Sequence, residues 1–112
     1  MPVDARFTLV AEDSQVLEGE LLGTSVANEP VLLVRLHGVL HAIGRICTHE
    51  DQDLAEGWLN DGRVVCPRHG SEFDLVTGEA LSLPAFEPEP VYEVAVEEGM
   101  IYVAVIGREA SA

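Results

Sequence analysis

The stretches "CTHEDQ", Cys47–Gln52, and "CPRHGSEFD", Cys66–Asp74, decide how this chain is read. There are only two cysteines, and each stands beside a histidine: C-x-H at Cys47 and His49, then C-x-x-H at Cys66 and His69, with sixteen residues between the two groups. Each pair is close enough to supply ligands from one tight loop, and two such loops facing each other present a set of four. Thiolate is a soft donor suited to zinc or iron–sulfur clusters, while neutral imidazole suits zinc, iron and copper. The donor types alone leave zinc and a [2Fe–2S] cluster both open.

Outside these stretches the composition sets bounds. A chain of 112 residues is expected to form a single domain, residues 1–112, with a loose tail at about 108–112, and it is small enough for a metal to help hold it together. Twenty acidic residues against six basic ones, all arginine, give a formal charge of -14. That surface repels nucleic acid and anionic membranes and attracts a basic protein surface, although solubility is the commoner reason for such a balance. The opening "MPVDARFTLV" has charges at Asp4 and Arg6 and no apolar core of a signal peptide, so a cytoplasmic location is expected. In that reducing compartment two cysteines point to metal or redox chemistry rather than to a disulfide.

The rest of the pattern is all-β: short Val, Leu, Ile and Tyr runs punctuated by Gly, Pro, Asn and Asp. Val31–Leu36 and Val39–Ile43 meet across His37-Gly38, which predicts a hairpin. Val91–Val96 and Met100–Val105 flank Glu97-Glu98-Gly99 and predict a second, with Tyr92, Val94 and Val96 on one strand face. Between the hairpins, residues of about 46–84 are richer in Gly, Asp and His and contain every candidate for chemistry. They are expected to form a small cluster-binding subdomain on a strand scaffold.

C-x-H-x16-C-x-x-H, followed by Gly70, Ser71, Phe73, Asp74 and "TGEALSLPA", resembles the Rieske [2Fe–2S] family, in particular the small ferredoxin components of bacterial aromatic-ring-hydroxylating dioxygenase systems. The similarity runs over nearly the whole chain. It implies an all-β fold, a Rieske-type antiparallel β-sandwich, and one [2Fe–2S] cluster with Cys47 and Cys66 on one iron and His49 and His69 on the other. Two ferric ions, two sulfides and two thiolates sum to zero charge with neutral imidazoles, whereas a four-thiolate cluster must go from minus two to minus three on reduction. Rieske centres accordingly lie at roughly -150 to +300 mV, against about -400 mV for plant-type ferredoxins.

Departures from the respiratory branch of the family point to its low-potential branch. Gln52 and Arg68 stand where respiratory members carry two further, disulfide-linked cysteines, and Phe73 stands where they have a tyrosine hydroxyl aimed at a sulfur. Ser71 matches a serine that donates to a bridging sulfide and so keeps the potential up. Gly70 and Gly78 fit a close backbone approach and tight turns near the cluster, and Pro84 fits the loop that covers it. His37, in a turn, and His41, on a strand, are surface or packing residues.

The resemblance implies a one-electron carrier, not an enzyme: a monomer that passes electrons from a flavin-dependent, NAD(P)H-dependent ferredoxin reductase to a terminal oxygenase, docking at the cluster tip. No nucleophile–base pair or phosphate-binding motif is present to suggest catalysis. Glu50, Asp51, Asp53, Glu56 and Glu72 crowd the ligand loops and are candidates for partner docking, while Glu97 and Glu98 are distant from them. Two other readings remain: the Rieske-like small subunit of a nitrite reductase, or a structural zinc module.

Overall fold

The computed structural model describes residues 6–48, 51–68, 70–83 and 87–104. Its centre is strand β3, Glu29–Leu36, which pairs antiparallel with β2, Leu21–Val26, and with β4, Val39–Gly44. Val31, Leu32, Leu33 and Val34 are all fully buried. Successive side chains of a strand point to opposite faces, so a continuous buried run means that both faces are covered. On one face Val31 and Leu33 pack with Val16, Val26, Ala42, Tyr92, Ile101 and Val103. On the other, Leu32 and Val34 pack with Ile43, Leu54, Val64, Phe73, Leu75 and both cysteines. Each such side chain contributes about 1.5–3 kcal/mol through burial.

The first face is closed by β1, Phe7–Glu12, β8, Val91–Glu97, and β9, Met100–Ala104. The strand order is β1-β9-β8-β4-β3-β2, and every pairing along it is antiparallel. The β4–β8 seam consists of two residue pairs, Ala42 with Tyr92 and Ile43 with Val91. A seam that short lets the sheet fold over on itself, and β1 returns to touch β2. The result is the antiparallel sandwich that the sequence implied. The second face is covered by a separate three-stranded sheet, β5, Trp58–Asn60, β6, Arg63–Val65, and β7, Glu72–Asp74.

Among the described residues, four hairpins turn through two residues that both have positive φ: Ala27-Asn28, His37-Gly38, Asp61-Gly62 and Glu98-Gly99. Turns of that hand match the natural twist of the flanking strands. The same preference shortens the last hairpin relative to expectation. Glu97 pairs with Met100, so the connection is Glu98-Gly99 alone. The expected apolar face of β8 is also incomplete: Tyr92 is buried, but Val96 is 46% exposed, because Ile101 opposite it fills the core at that level. Ala95, on the other face, is buried instead with Phe7 and Ala104. Val105 and the predicted tail lie outside the described residues. No helix among those described is long and apolar enough to cross a membrane.

Candidate functional site

The two sequence motifs become two loops of the same construction. In the first, Ile46 and Asp53 form an antiparallel bridge around residues 47–52, and the Cys47 N–H donates to the Gln52 carbonyl at 2.9 Å. In the second, Val65 pairs with Glu72 around residues 66–71, and the Cys66 N–H donates to the Ser71 carbonyl at 2.8 Å. Both loops are six residues long, and each begins with its cysteine. Gly70 has φ +80, and its N–H donates to the Cys66 carbonyl at 3.1 Å, which tightens the second loop.

Cys47 is 4% exposed and Cys66 fully buried, both in the one apolar cluster that contains Phe73, Leu54 and Leu75, and neither is in a disulfide. Two reduced thiols on matching loops, in one dry cluster, suit a soft metal centre. His49 and His69 fall in the third and fourth positions of their loops by sequence, and both lie outside the described residues, as do Glu50 and Pro84. Ser71 is 1% exposed. His41 is half-buried opposite Val34, and loss of solvation lowers its pKa, which fits a packing role.

The loops are fixed against each other at Gly57, which follows the short 3-10 turn Leu54–Glu56. A Cβ there would lie 1.9 Å from the carbonyl oxygen of Val65, the residue before Cys66. Residues 77–83 and 87–90 pack on the loops from the other side. The Thr48 hydroxyl donates to the Glu87 carbonyl at 2.7 Å, the Leu81 N–H to the Glu72 carbonyl at 2.7 Å, and the Glu72 N–H to the Ser82 hydroxyl at 3.0 Å. Gly78 meets both expectations made of it: φ is +77, and a Cβ would come within 2.2 Å of the Glu89 carbonyl oxygen. Gly70 meets only one, since among the described residues nothing lies within 4 Å of a Cβ built on it.

Two of the acidic residues expected to face a partner are committed internally. The Asp53 carboxylate accepts from Arg45 Nε at 3.0 and 3.1 Å and from its NH2 at 2.8 Å, and also from the Ala55 N–H at 2.9 Å. Glu72 accepts from Arg63 at 2.6 Å and from Asn60 at 3.2 Å. The arginines hold the pKa of both carboxyls below the ordinary value. Asp51 and Glu56 remain exposed, joined by Glu79 and Glu87.

One buried carboxyl had no sequence signal. Glu89, in the run "EPEP", is 3% exposed, and its Oε2 has no hydrogen-bond partner among the described residues. Its carboxyl accepts the backbone N–H of Thr48, in the first cysteine loop, and burial pushes its pKa up to about 8. Gly44 makes room for it: a Cβ there would lie 2.2 Å from Glu89 Oε1. The paired arginines were equally absent from the sequence reading, although a carboxylate six residues after each cysteine was a visible regularity.

Comparison with known proteins accounts for this architecture. The ferredoxin subunit of the 3-phenylpropionate/cinnamic acid dioxygenase of Escherichia coli K12 is 40% identical over 80% of this chain and 85% of its own. Among solved structures, the ferredoxin of carbazole 1,9a-dioxygenase from Nocardioides aromaticivorans superposes with a TM-score of 0.84 at 30% identity, covering 88% of this chain and 96% of its own. A chain in a complex of reduced oxygenase and oxidized ferredoxin in carbazole 1,9a-dioxygenase superposes at 0.82 with 32% identity, over 90% and 94% of the two chains. A putative NADH-dependent nitrite reductase small subunit from Mycobacterium tuberculosis has the same fold, at 0.78 and 27% identity over 88% and 93%. The Rieske [2Fe–2S] domain model matches residues 6–98, both cysteine loops included. With the matched loops, the shared fold and these relatives together, the chain belongs to the Rieske [2Fe–2S] domain family, and its cofactor is a Rieske-type [2Fe–2S] cluster.

Proposed function

We propose that Cys47 and Cys66 hold one iron of the cluster and His49 and His69 the other. The chain then carries single electrons from a flavin-dependent, NAD(P)H-dependent reductase to the terminal oxygenase of an aromatic-ring dioxygenase system. The observation that supports this best is the pair of six-residue loops, each closed from its cysteine N–H to the carbonyl five residues on, with both thiols in one buried cluster. The dioxygenase ferredoxins at 40% and 30% identity, against 27% for the nitrite reductase subunit, favour the carrier role.

When bound, the cluster supplies one-electron chemistry, and its two imidazole ligands make it a milder reductant than a four-thiolate centre. The protein provides the rest. Burial of the cysteines keeps water from the thiolate side, and the backbone closures hold each loop before the metal arrives. Residues 46–84 act as the cluster-binding unit of one domain, and Cys47, His49, Cys66 and His69 are the ligands. Exposed Asp51, Glu56 and Glu87 give this end a negative surface suited to basic partner faces. The carrier acts as a cytoplasmic monomer, with no nucleic-acid or membrane partner.

Absorption spectra, iron and acid-labile sulfide analysis and low-temperature EPR of the anaerobically purified protein test the assignment. The expected result is two irons and two sulfides per chain, with a reduced-state signal of low average g. Cys47→Ala, His49→Ala, Cys66→Ala and His69→Ala should each abolish it. A colourless protein with stoichiometric zinc overturns the cluster reading, and a variant that keeps a normal cluster removes that residue from the ligand set.

A further inference from the structure

The base of each ligand loop carries an arginine–carboxylate pair at a corresponding place. Asp53 stands six residues after Cys47 and pairs with Arg45; Glu72 stands six residues after Cys66 and pairs with Arg63. In both, the carboxylate residue is the one whose backbone closes the loop, opposite Ile46 in the first and Val65 in the second. The ion pair therefore adds a rung immediately below the cysteine closure.

Exposed ion pairs contribute little on average. The first of these is held more firmly than an exposed pair. Its side chains are 30% and 25% exposed, and the carboxylate is gripped through two guanidinium nitrogens. The remaining Arg45 nitrogen donates to the Thr24 carbonyl at 3.4 Å, and a Cβ on Gly23 would lie 2.6 Å from Arg45 Nε, so the guanidinium lies flat on bare β2 backbone. Asp53 also caps the 3-10 turn that leads to Gly57 and the second loop. The second pair is looser, with Arg63 42% exposed.

We propose that Arg45 and Asp53, and more weakly Arg63 and Glu72, are positioning pairs that fix the ligand loops and hold the local charge neutral, so that the reduction potential of the cluster depends on both members together. The proposal rests on the ligand assignment above. Reduction adds one negative charge to the centre. An anion left without its cation nearby opposes that charge, and a cation left without its anion favours it.

The test is a spectroelectrochemical titration of the holoprotein. At a fixed ambient potential, Arg45→Gln should lower the reduced-to-oxidised ratio and Asp53→Asn should raise it, each on the order of threefold. The double variant should return close to the wild-type ratio. Arg63→Gln and Glu72→Gln should move it in the same two directions by smaller factors. Ile101→Val, which removes a buried methyl from the opposite core, should lower stability without moving the ratio. Opposite signs within a pair are the result that loop loosening does not produce. Ratios that move in one direction for both members, or stay still while the two-iron spectrum is intact, overturn the proposal. If Arg45→Gln does not retain its cluster, Asp53→Asn and the second pair decide the question with the same signs. Failure of the ligand assignment reads differently: Cys47→Ala or Cys66→Ala would keep a normal cluster.

Discussion

Glu89 makes the stability of this protein depend on pH in an unusual direction. Its ordinary pKa is 4.5, and burial raises it to about 8. Between those values the unfolded chain ionises the carboxyl while the folded chain keeps it protonated, so the folded state binds more protons and stability falls as pH rises. At about 1.36 kcal/mol per pH unit, the raised pKa of Glu89 costs about 1.4 kcal/mol at pH 5.5 and about 4.4 kcal/mol at pH 8. Below pH 4.5 the cost vanishes, and above pH 8 it levels off. For a domain whose total stability is about 5–15 kcal/mol this is a visible fraction. Glu89→Gln retains the shape and a carbonyl oxygen for the Thr48 N–H but does not titrate. Its stability relative to wild type, from denaturant unfolding of the oxidised holoprotein at matched pH, should therefore improve by about 3 kcal/mol between pH 5.5 and pH 8. Histidine and surface carboxyls titrate alike in both proteins and cancel in the difference. A gap between variant and wild type that is constant across this range refutes the reasoning, whatever its sign.

Gly57→Ala should cost about 3 kcal/mol or more and lower iron content, because its Cβ would meet the Val65 carbonyl oxygen at 1.9 Å and separate the two loops; unfolding midpoints and iron analysis check this. Neutralising Asp51, Glu56 and Glu87 together should slow stopped-flow electron transfer to the oxygenase at low salt and flatten its salt dependence, as the Debye length falls from about 10 Å at 0.1 M to about 3 Å at 1 M. Equal flattening from charge removal at Glu97 and Glu98 would make the acidity generic rather than directional. Gly78→Ala should disturb the segment behind the first loop, since φ +77 and the Glu89 carbonyl at 2.2 Å both oppose a Cβ, and hydrogen exchange at the Glu89 and Thr48 amides should speed up.

The β rhythm, the His37-Gly38 hairpin and the cysteine–histidine spacings were legible in the sequence because each is a local property. Strand alternation repeats every two residues, a hairpin needs only its own turn residues, and chelating pairs declare themselves within one loop. The apolar run Val31–Val34 is covered on both faces in the fold. What covers it was not written in the sequence. The charges around the loops looked alike in sequence, yet Asp53 and Glu72 close the loop bases while Asp51 and Glu56 stay in solvent, because an ion pair is chosen by which side chains the folded strands bring within reach, here diagonally across each loop base. Glu89 is the sharpest case. In "EPEP" it is one acid among twenty, and only the packing of residues 87–90 against Gly44, Gly78 and Thr48 takes it out of water. Local chemistry is carried by the residues themselves. Burial and charge pairing arise from segments far apart in the chain, so the tertiary structure decided which of the acids would titrate, clamp or dock.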